Sequence, residues 1–398
     1  MDSDLFLQRL RELPIEDGRA YIQEHIAELS GYKAVGELLA DEALKQLYTN
    51  PAVSLKLAEL LTFFGEYVSH LSSHALGLKA KGDALRAIGL HQAAMESLDA
   101  AGEEFLRLGD EGNWARSRIT WIISCAWLGR LEEALQEAAR ARGVFQRLGE
   151  YYWACVIDNN TAVILKHVGR YQEEINLYDR MLAIYPTLTD QSDTTIKRAI
   201  ALAEMNKAIT LSWTGEFGEP YRLVQKALTT FRTLGETNLA IIAESNLANL
   251  DYAQGYYGSA LQRYYQARDS LVQNTIDDPW LLGILKLRIA NCLVKLDRAQ
   301  ESCQLAFEAV QTYRQRGISL DTGEALREYA IMLVAAGKLE EAIKALDEAW
   351  TLYSKGGFAY HAAIAKLQQA ELLLKLESLD AAYERAHLLK SILKRKAW

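Results

Sequence analysis

Proline is almost missing from this chain, with 5 in 398 residues, and runs of strand-forming valine, isoleucine and threonine are equally scarce. A chain so short of breakers and of β-branched runs reads as nearly all helix. Long apolar stretches are missing too. Charges interrupt every hydrophobic run well before the roughly 18 residues that a membrane span needs. The first residues, Met1, Asp2, Ser3 and Asp4, lack the basic start and apolar stretch of a secretion signal, which points to a cytosolic protein. Only four cysteines occur, Cys125, Cys155, Cys292 and Cys303, and none forms a CxxC or other ligand-like spacing. They read as small buried hydrophobes in a reducing compartment. No GxxxxGK[ST] phosphate loop and no GxGxxG turn is present, so neither nucleotide motif is written here. Positive charge is in deficit, with a net charge of -8, and nucleic acid is therefore not an expected partner.

What is present in quantity is repetition. A turn phrase of Gly, a polar or basic residue, an aromatic or Leu, then acidic residues and Ala recurs along the chain. It stands at Gly129-Arg130-Leu131-Glu132-Glu133-Ala134, Gly169-Arg170-Tyr171, Gly215-Glu216-Phe217, Gly255-Tyr256-Tyr257 and Gly337-Lys338-Leu339-Glu340-Glu341-Ala342, with weaker copies at Gly89, Asp297 and Glu377. Successive starts lie 40, 40, 46, 40, 42, 40 and 40 residues apart. A fixed period of that size marks a solenoid of stacked units.

Aligning on the turn exposes further columns. Seven residues earlier stand Gly82, Ile122, Ala162, Ala208, Ala248, Ala290, Ala330 and Ala370, and twelve later Ala101, Ala141, Met181, Ala227, Ala267, Ala309, Ala349 and Leu389. Small residues recur where two helices must approach closely. Four before the turn the residues are apolar except Asp251, an exception with no sequence-level explanation. Each unit is thus helix A, a short turn, and helix B, often closed by a second glycine such as Gly149 or Gly235. Asp278-Pro279 reads as an N-cap with proline at N1. The longest interval contains Pro186-Thr187-Leu188-Thr189-Asp190-Gln191-Ser192-Asp193, the expected site of a bend or a proteolytic nick. Residues 1–70 are irregular, with helices expected near 3–12, 16–30, 33–48 and 52–68, and read as a cap or a degenerate repeat. Residues 71–398 carry about eight hairpins.

These columns resemble the tetratricopeptide repeat family: its small residue in helix A matches Ala162, Ala208, Ala248 and Ala290, its Gly-x-Tyr turn matches Gly169-Arg170-Tyr171 and Gly255-Tyr256-Tyr257, and its following Ala matches Ala94, Ala134, Ala260, Ala342 and Ala382. The resemblance implies an all-α, right-handed α–α superhelix, a TPR-like solenoid of antiparallel helix pairs. The period is about 40 where the family's is usually 34, and the proline that closes helix B is mostly absent. Long repeats ending like Phe145-Gln146-Arg147-Leu148-Gly149-Glu150 resemble the arrays of bacterial signalling proteins that adjoin a CHAT protease or a STAND NTPase module. That likeness, and an end at Lys394-Arg395-Lys396-Ala397-Trp398 without a clear cap, imply the repeat portion of a longer protein.

In the family, helices A line a concave face that binds protein or peptide. Its positions carry over as the residues nine, six, three and two before each turn. They place Asn160, Asn206, Asn246 and Arg288 in the first of these columns, Asn249 and Asn291 in the second, and Trp127, His167 and Trp213 in the last. A carboxamide both donates and accepts, so the five asparagines suit a peptide backbone. They suit helix-to-helix hydrogen bonds or plain solvation as well. Trp127 and Trp213 fit anchors for a partner or packing between hairpins. Lys166, Arg288, Lys295 and Arg327 are positive charges scattered across the same face, and the tyrosines at Tyr252, Tyr256, Tyr257, Tyr264 and Tyr265 fit an interface or packing between repeats.

Chemistry finds little footing. His70 and His74 share a helix face but lack the glutamate of a zinc-protease helix. Cys125, Cys155 and His167 offer no third group to orient a nucleophile. The reading is a non-enzymatic protein- or peptide-binding scaffold with no metal and no cofactor. Its alternative is the regulatory or sensor arm of a larger signalling protein, with an effector domain in cis. An oligomerising rod, held by homo-oligomer contacts, is a third class.

Overall fold

The structure is a computed structural model that describes residues 3–26, 31–47, 49–189, 191–274, 278–316, 319–356 and 358–395. Among them are twenty α-helices and no strand. The chain divides into two compact units, Met1–Thr210 and Leu211–Trp398.

The first unit holds α1 (Ser3–Glu12), α2 (Ile15–His25), α3 (Tyr32–Gln46), α4 (Pro51–Tyr67), α5 (Leu71–Ala87), α6 (His91–Arg107), α7 (Glu111–Trp127), α8 (Leu131–Arg147), α9 (Tyr151–His167), α10 (Tyr171–Ile184) and most of α11 (Asp193–Trp213). The second holds the end of α11 and then α12 (Gly218–Thr233), α13 (Thr237–Ala253), α14 (Tyr257–Gln273), α15 (Pro279–Lys295), α16 (Ala299–Arg316), α17 (Ser319–Ala335), α18 (Leu339–Lys355), α19 (Ala359–Lys375) and α20 (Leu379–Arg395). Within each unit consecutive helices, from α3 to α10 and from α12 to α20, pack side by side as antiparallel pairs. None of the described helices is long and apolar enough to cross a membrane.

One backbone device makes the turns. After helix A the residue at the head of the turn is left-handed in all eight repeats: Gly89, Gly129, Gly169, Gly215, Gly255 and Gly337, with φ between 74° and 88°, and Asp297 and Glu377 at 58° and 57°. The next amide reaches back to the carbonyl four before the turn: Leu90 to Leu85 at 2.9 Å, Arg170 to Leu165 at 2.9 Å, Lys338 to Leu333 at 2.8 Å. This six-to-one bond is the Schellman closure, and glycine suits it because no Cβ opposes positive φ. The return turns from helix B use the same closure. Gly109, Gly149 and Gly235 are left-handed, and Asp110, Glu150 and Glu236 bond to the carbonyls of buried Phe105, Phe145 and Phe231, each at 2.9 Å. Where no glycine serves, a cap starts the next helix: Asp278 Oδ1 accepts from the Leu281 amide at 2.9 Å, with Pro279 in the first turn.

The small-residue columns are where the helices meet. Ala162, Ala208, Ala248 and Ala290 are fully buried, as are Ala101, Ala141, Ala227, Ala309 and Ala349 from the following helices. Gly82 shows the clearance involved, since a Cβ there would stand 2.5 Å from Leu98 Cγ. Asp251, the polar exception in an apolar column, is buried and satisfied. It accepts from Ser259 Oγ at 2.6 Å and from Arg263 Nε at 2.9 Å, both on α14.

Before residue 70 the helices lie at 3–12, 15–25, 32–46 and 51–67, near their expected places. Phe6, Leu7, Leu10, Ile22, Leu39, Leu57, Leu60, Leu61 and Phe64 close one apolar core among them. In the long connection, Tyr185–Thr187 form a single 3₁₀ turn, and Asp190 lies outside the described residues.

Candidate protein-binding face

Six of the eight A helices present two polar stripes, two residues apart in sequence and opposite in character. The stripe that the sequence hides is the residue eleven before the turn: Arg118, Asp158, Glu204, Glu244, Lys286 and Lys366 in the second to sixth and the eighth repeats, with Leu78 and Leu326 in the others. It faces the B helices and is buried or nearly so. Arg118 bonds to Asp99 at 2.7 Å, and its guanidinium lies between the Trp114 and Trp121 rings. Asp158, 1% exposed, takes Arg142 from α8 at 2.8 Å and Arg180 from α10 at 2.5 Å. Glu244 pairs with Arg232 at 2.7 Å, Lys286 with Glu308 at 3.3 Å, and Lys366 with Asp347 at 2.7 Å. Burial pulls the Lys366 ammonium below its usual range, while the Asp347 bond works against that. These ion pairs tie A helices to neighbouring B helices.

The second stripe holds the residues nine and six before the turn, where binding positions were expected. Part of it is spent on neighbouring A helices. Thr120 Oγ1 donates to Asp83 of the preceding repeat. Asn160 Nδ2 donates to the Ile119 carbonyl at 3.3 Å, and Asn291 Nδ2 to Glu328 at 3.1 Å. Arg327 Nε, one residue off the stripe, donates to Gln368 at 2.9 Å. Each bond joins residues 37 to 41 apart, one repeat along, so this ladder ties A helix to A helix.

The remainder is not tied in that way. Asn206 makes no side-chain hydrogen bond among the described residues, although its carbonyl accepts from Thr210 Oγ1. Asn246 and Asn249 form a chain within one hairpin: Tyr264 donates its hydroxyl to Asn249 Oδ1 at 2.5 Å, and Asn249 Nδ2 donates to Asn246 Oδ1 at 3.1 Å. That direction leaves the Asn246 amide hydrogens unspent. Arg288 is exposed on the next A helix and forms no ion pair among the described residues. Trp127 and Trp213, at the last turn of α7 and α11, are 57% and 53% exposed. The side chain of His167 lies outside the described residues.

The groups set aside for chemistry are accounted for. His70 caps α5, its Nδ1 accepting from the Ser73 amide at 3.3 Å, and His74 Nδ1 meets Glu104 at 2.8 Å. Burial pushes the thiol of Cys125 up to about 11 and those of Cys155 and Cys292 up to about 12, so they stay protonated and unreactive at neutral pH. Among the described residues no three His, Cys, Asp or Glu side chains gather as a metal site. Tyr264 is buried and Tyr252 packs edge-on against Tyr257 at 5.2 Å, so much of the tyrosine cluster is packing, with Tyr256 exposed.

No family model matches the chain. No curated protein matches it in sequence. Solved structures do resemble it. A Rap protein complexed with competence and sporulation factor is 12% identical with a TM-score of 0.57, over 91% of this chain and 98% of that one. The apo form of the quorum sensor NprR from B. thuringiensis is 14% identical with a TM-score of 0.55, over 89% and 97%. A STAND protein with a tetratricopeptide repeat sensor, from Pyrococcus horikoshii, is 13% identical with a TM-score of 0.54 over 90% of this chain, which spans 54% of that protein. At such identities the shared property is the fold, a TPR-like array of helix pairs.

Proposed function

We propose that this protein is a non-catalytic regulator that holds a segment of another protein on the face of its A helices. The observation that carries the reading is a half-exposed indole at the same repeat position in each unit, Trp127 in the first and Trp213 in the second. A large aromatic held by a helix buries much area at little entropic cost, and such residues dominate binding surfaces. Asn206 in the first unit and Asn246 in the second each add, on their own unit, amide hydrogens not spent on the fold, suited to peptide carbonyls. The arrays most similar in fold include a Rap protein described in complex with competence and sporulation factor, which supports the same use here. The STAND protein described as carrying a tetratricopeptide repeat sensor supports a second form of this reading, in which the chain senses for an effector module in cis. The CHAT and STAND arrays named from the repeat phrases belong to that second form.

The test is site-specific photo-crosslinking from the native cytosol, with the probe at Asn246 on the A-helix face and, as control, at exposed Arg107 on α6. One protein should be recovered through the first probe and not the second, and Asn206→Arg with Asn246→Arg should abolish its capture at unchanged helicity. Equal capture by both probes, or capture that survives the double substitution, defeats the reading.

A further inference from the structure

The first repeat ends in a cation that the fold does not use. Arg86, three before the turn on α5, forms no side-chain hydrogen bond and no ion pair among the described residues, and its Nε is sealed from solvent without an acceptor. Its surroundings make this unusual. Arg116, Arg118, Arg130, Arg142, Arg170 and Arg180 of the same unit all meet carboxylates within 3 Å. Asp83, one helical turn before Arg86, is engaged by Lys79 at 2.8 Å and by Thr120.

Across the turn stands His91, the first residue of α6. Its ring stacks on Trp127 with centroids 5.6 Å apart and planes at 9°, and its Nδ1 is also sealed and unpartnered. Burial, and then the charge of Arg86, lower its pKa, so the ring is neutral at physiological pH. The two residues beside the turn glycine, Ile88 and Leu90, are exposed, as is Leu128 after Trp127. An unspent guanidinium thus stands on the same turn as exposed aliphatic side chains, with a neutral imidazole linking it to an open indole.

From this arrangement we infer that the Arg86–His91–Trp127 corner docks a partner protein segment in which an aspartate or glutamate adjoins a large apolar residue. The carboxylate meets Arg86, whose planar fork donates two parallel hydrogen bonds to it, and the apolar neighbour covers the open face of Trp127. A neutral His91 supplies no competing charge. A basic segment is disfavoured, because it would leave Arg86 without an anion beside a second cation. The inference rests on the proposed function and adds the chemistry of the segment and the point where it is read.

The test pans a phage library of short random peptides against the full chain. A selected peptide and its Glu→Gln or Asp→Asn form are then titrated against the wild-type protein, Arg86→Ala, Arg86→Lys and Trp127→Ala. Selected sequences should place an acidic residue beside an apolar one. Arg86→Ala and the amide peptide should each weaken binding about tenfold, and combining them should cost no more than either alone. Arg86→Lys should fall between, with far-UV circular dichroism unchanged in every variant. Peptides selected without acidic residues, or bound equally well by Arg86→Ala, would overturn this inference; if their binding is still lost in the Asn206 and Asn246 variants, the broader reading survives. Failure to select any peptide would count against both.

Discussion

Two stripes on the same helices divide the labour of this molecule. Eleven residues before six of the eight turns, charged side chains are driven inward, and Asp158 is matched there by Arg142 and Arg180. Nine before the turn, the side chains grade from tied to untied: Thr120 and Asn160 bond to the preceding A helix, Asn206 does not. A shift of two positions, about 200° around a helix, moves a residue from the seam between layers to the outer A-helix face. Polar character alone therefore says little about binding, and what a polar group is already bonded to says a great deal.

The comparison breaks most easily at the seam. Asp158→Ala leaves two arginines facing one another without their shared anion, and removal of one member of a buried pair costs about 3–5 kcal/mol. Chemical denaturation should show a loss of that size, and a loss below about 1 kcal/mol would mean that the buried stripe is not an energetic seam. Asn160→Ala, on the tied part of the outer stripe, should cost about 1 kcal/mol, the usual net value of one hydrogen bond, read as a shift in the denaturation midpoint at constant slope. Smallest of all, Asn206→Ala should move stability by no more than about 0.5 kcal/mol while still impairing capture in the crosslinking assay. If Asn206→Ala destabilised as much as Asn160→Ala, the outer stripe would be uniform and structural.

Much of the array was legible in the sequence, because glycine at a left-handed turn and alanine at a close approach are the residues their positions demand. Ala248 and Gly255 announce their roles by type. The seam is not legible in that way. Its column reads Arg, Asp, Glu, Glu, Lys, Leu, Lys from Arg118 to Lys366, with no residue type and no sign in common, since either charge serves if the neighbouring B helix supplies the other. Asp251 looked anomalous for the same reason: its partners Ser259 and Arg263 are on the next helix. Of the candidate face, position alone left Trp127 and Trp213 open between anchors for a partner and packing between hairpins. The bonds of Asn160 and Asn291 could not, because their acceptors lie about one full repeat away. Nothing in the sequence sets Arg86 apart, since what distinguishes it is that the carboxylate one turn away, Asp83, is already engaged by Lys79 and Thr120.

The shared form of the two kinds of turn carries a further meaning. Gly89, Gly109, Gly129, Gly149 and Gly169 follow one another at intervals of 20 residues, and all are left-handed. The main chain thus counts single helices, and side chains alone distinguish an A position from a B position. Loss of a forty-residue block from this region would preserve that alternation. Loss of twenty would join perfectly good turns and yet set a B sequence where an A sequence belongs, a frameshift written in three dimensions.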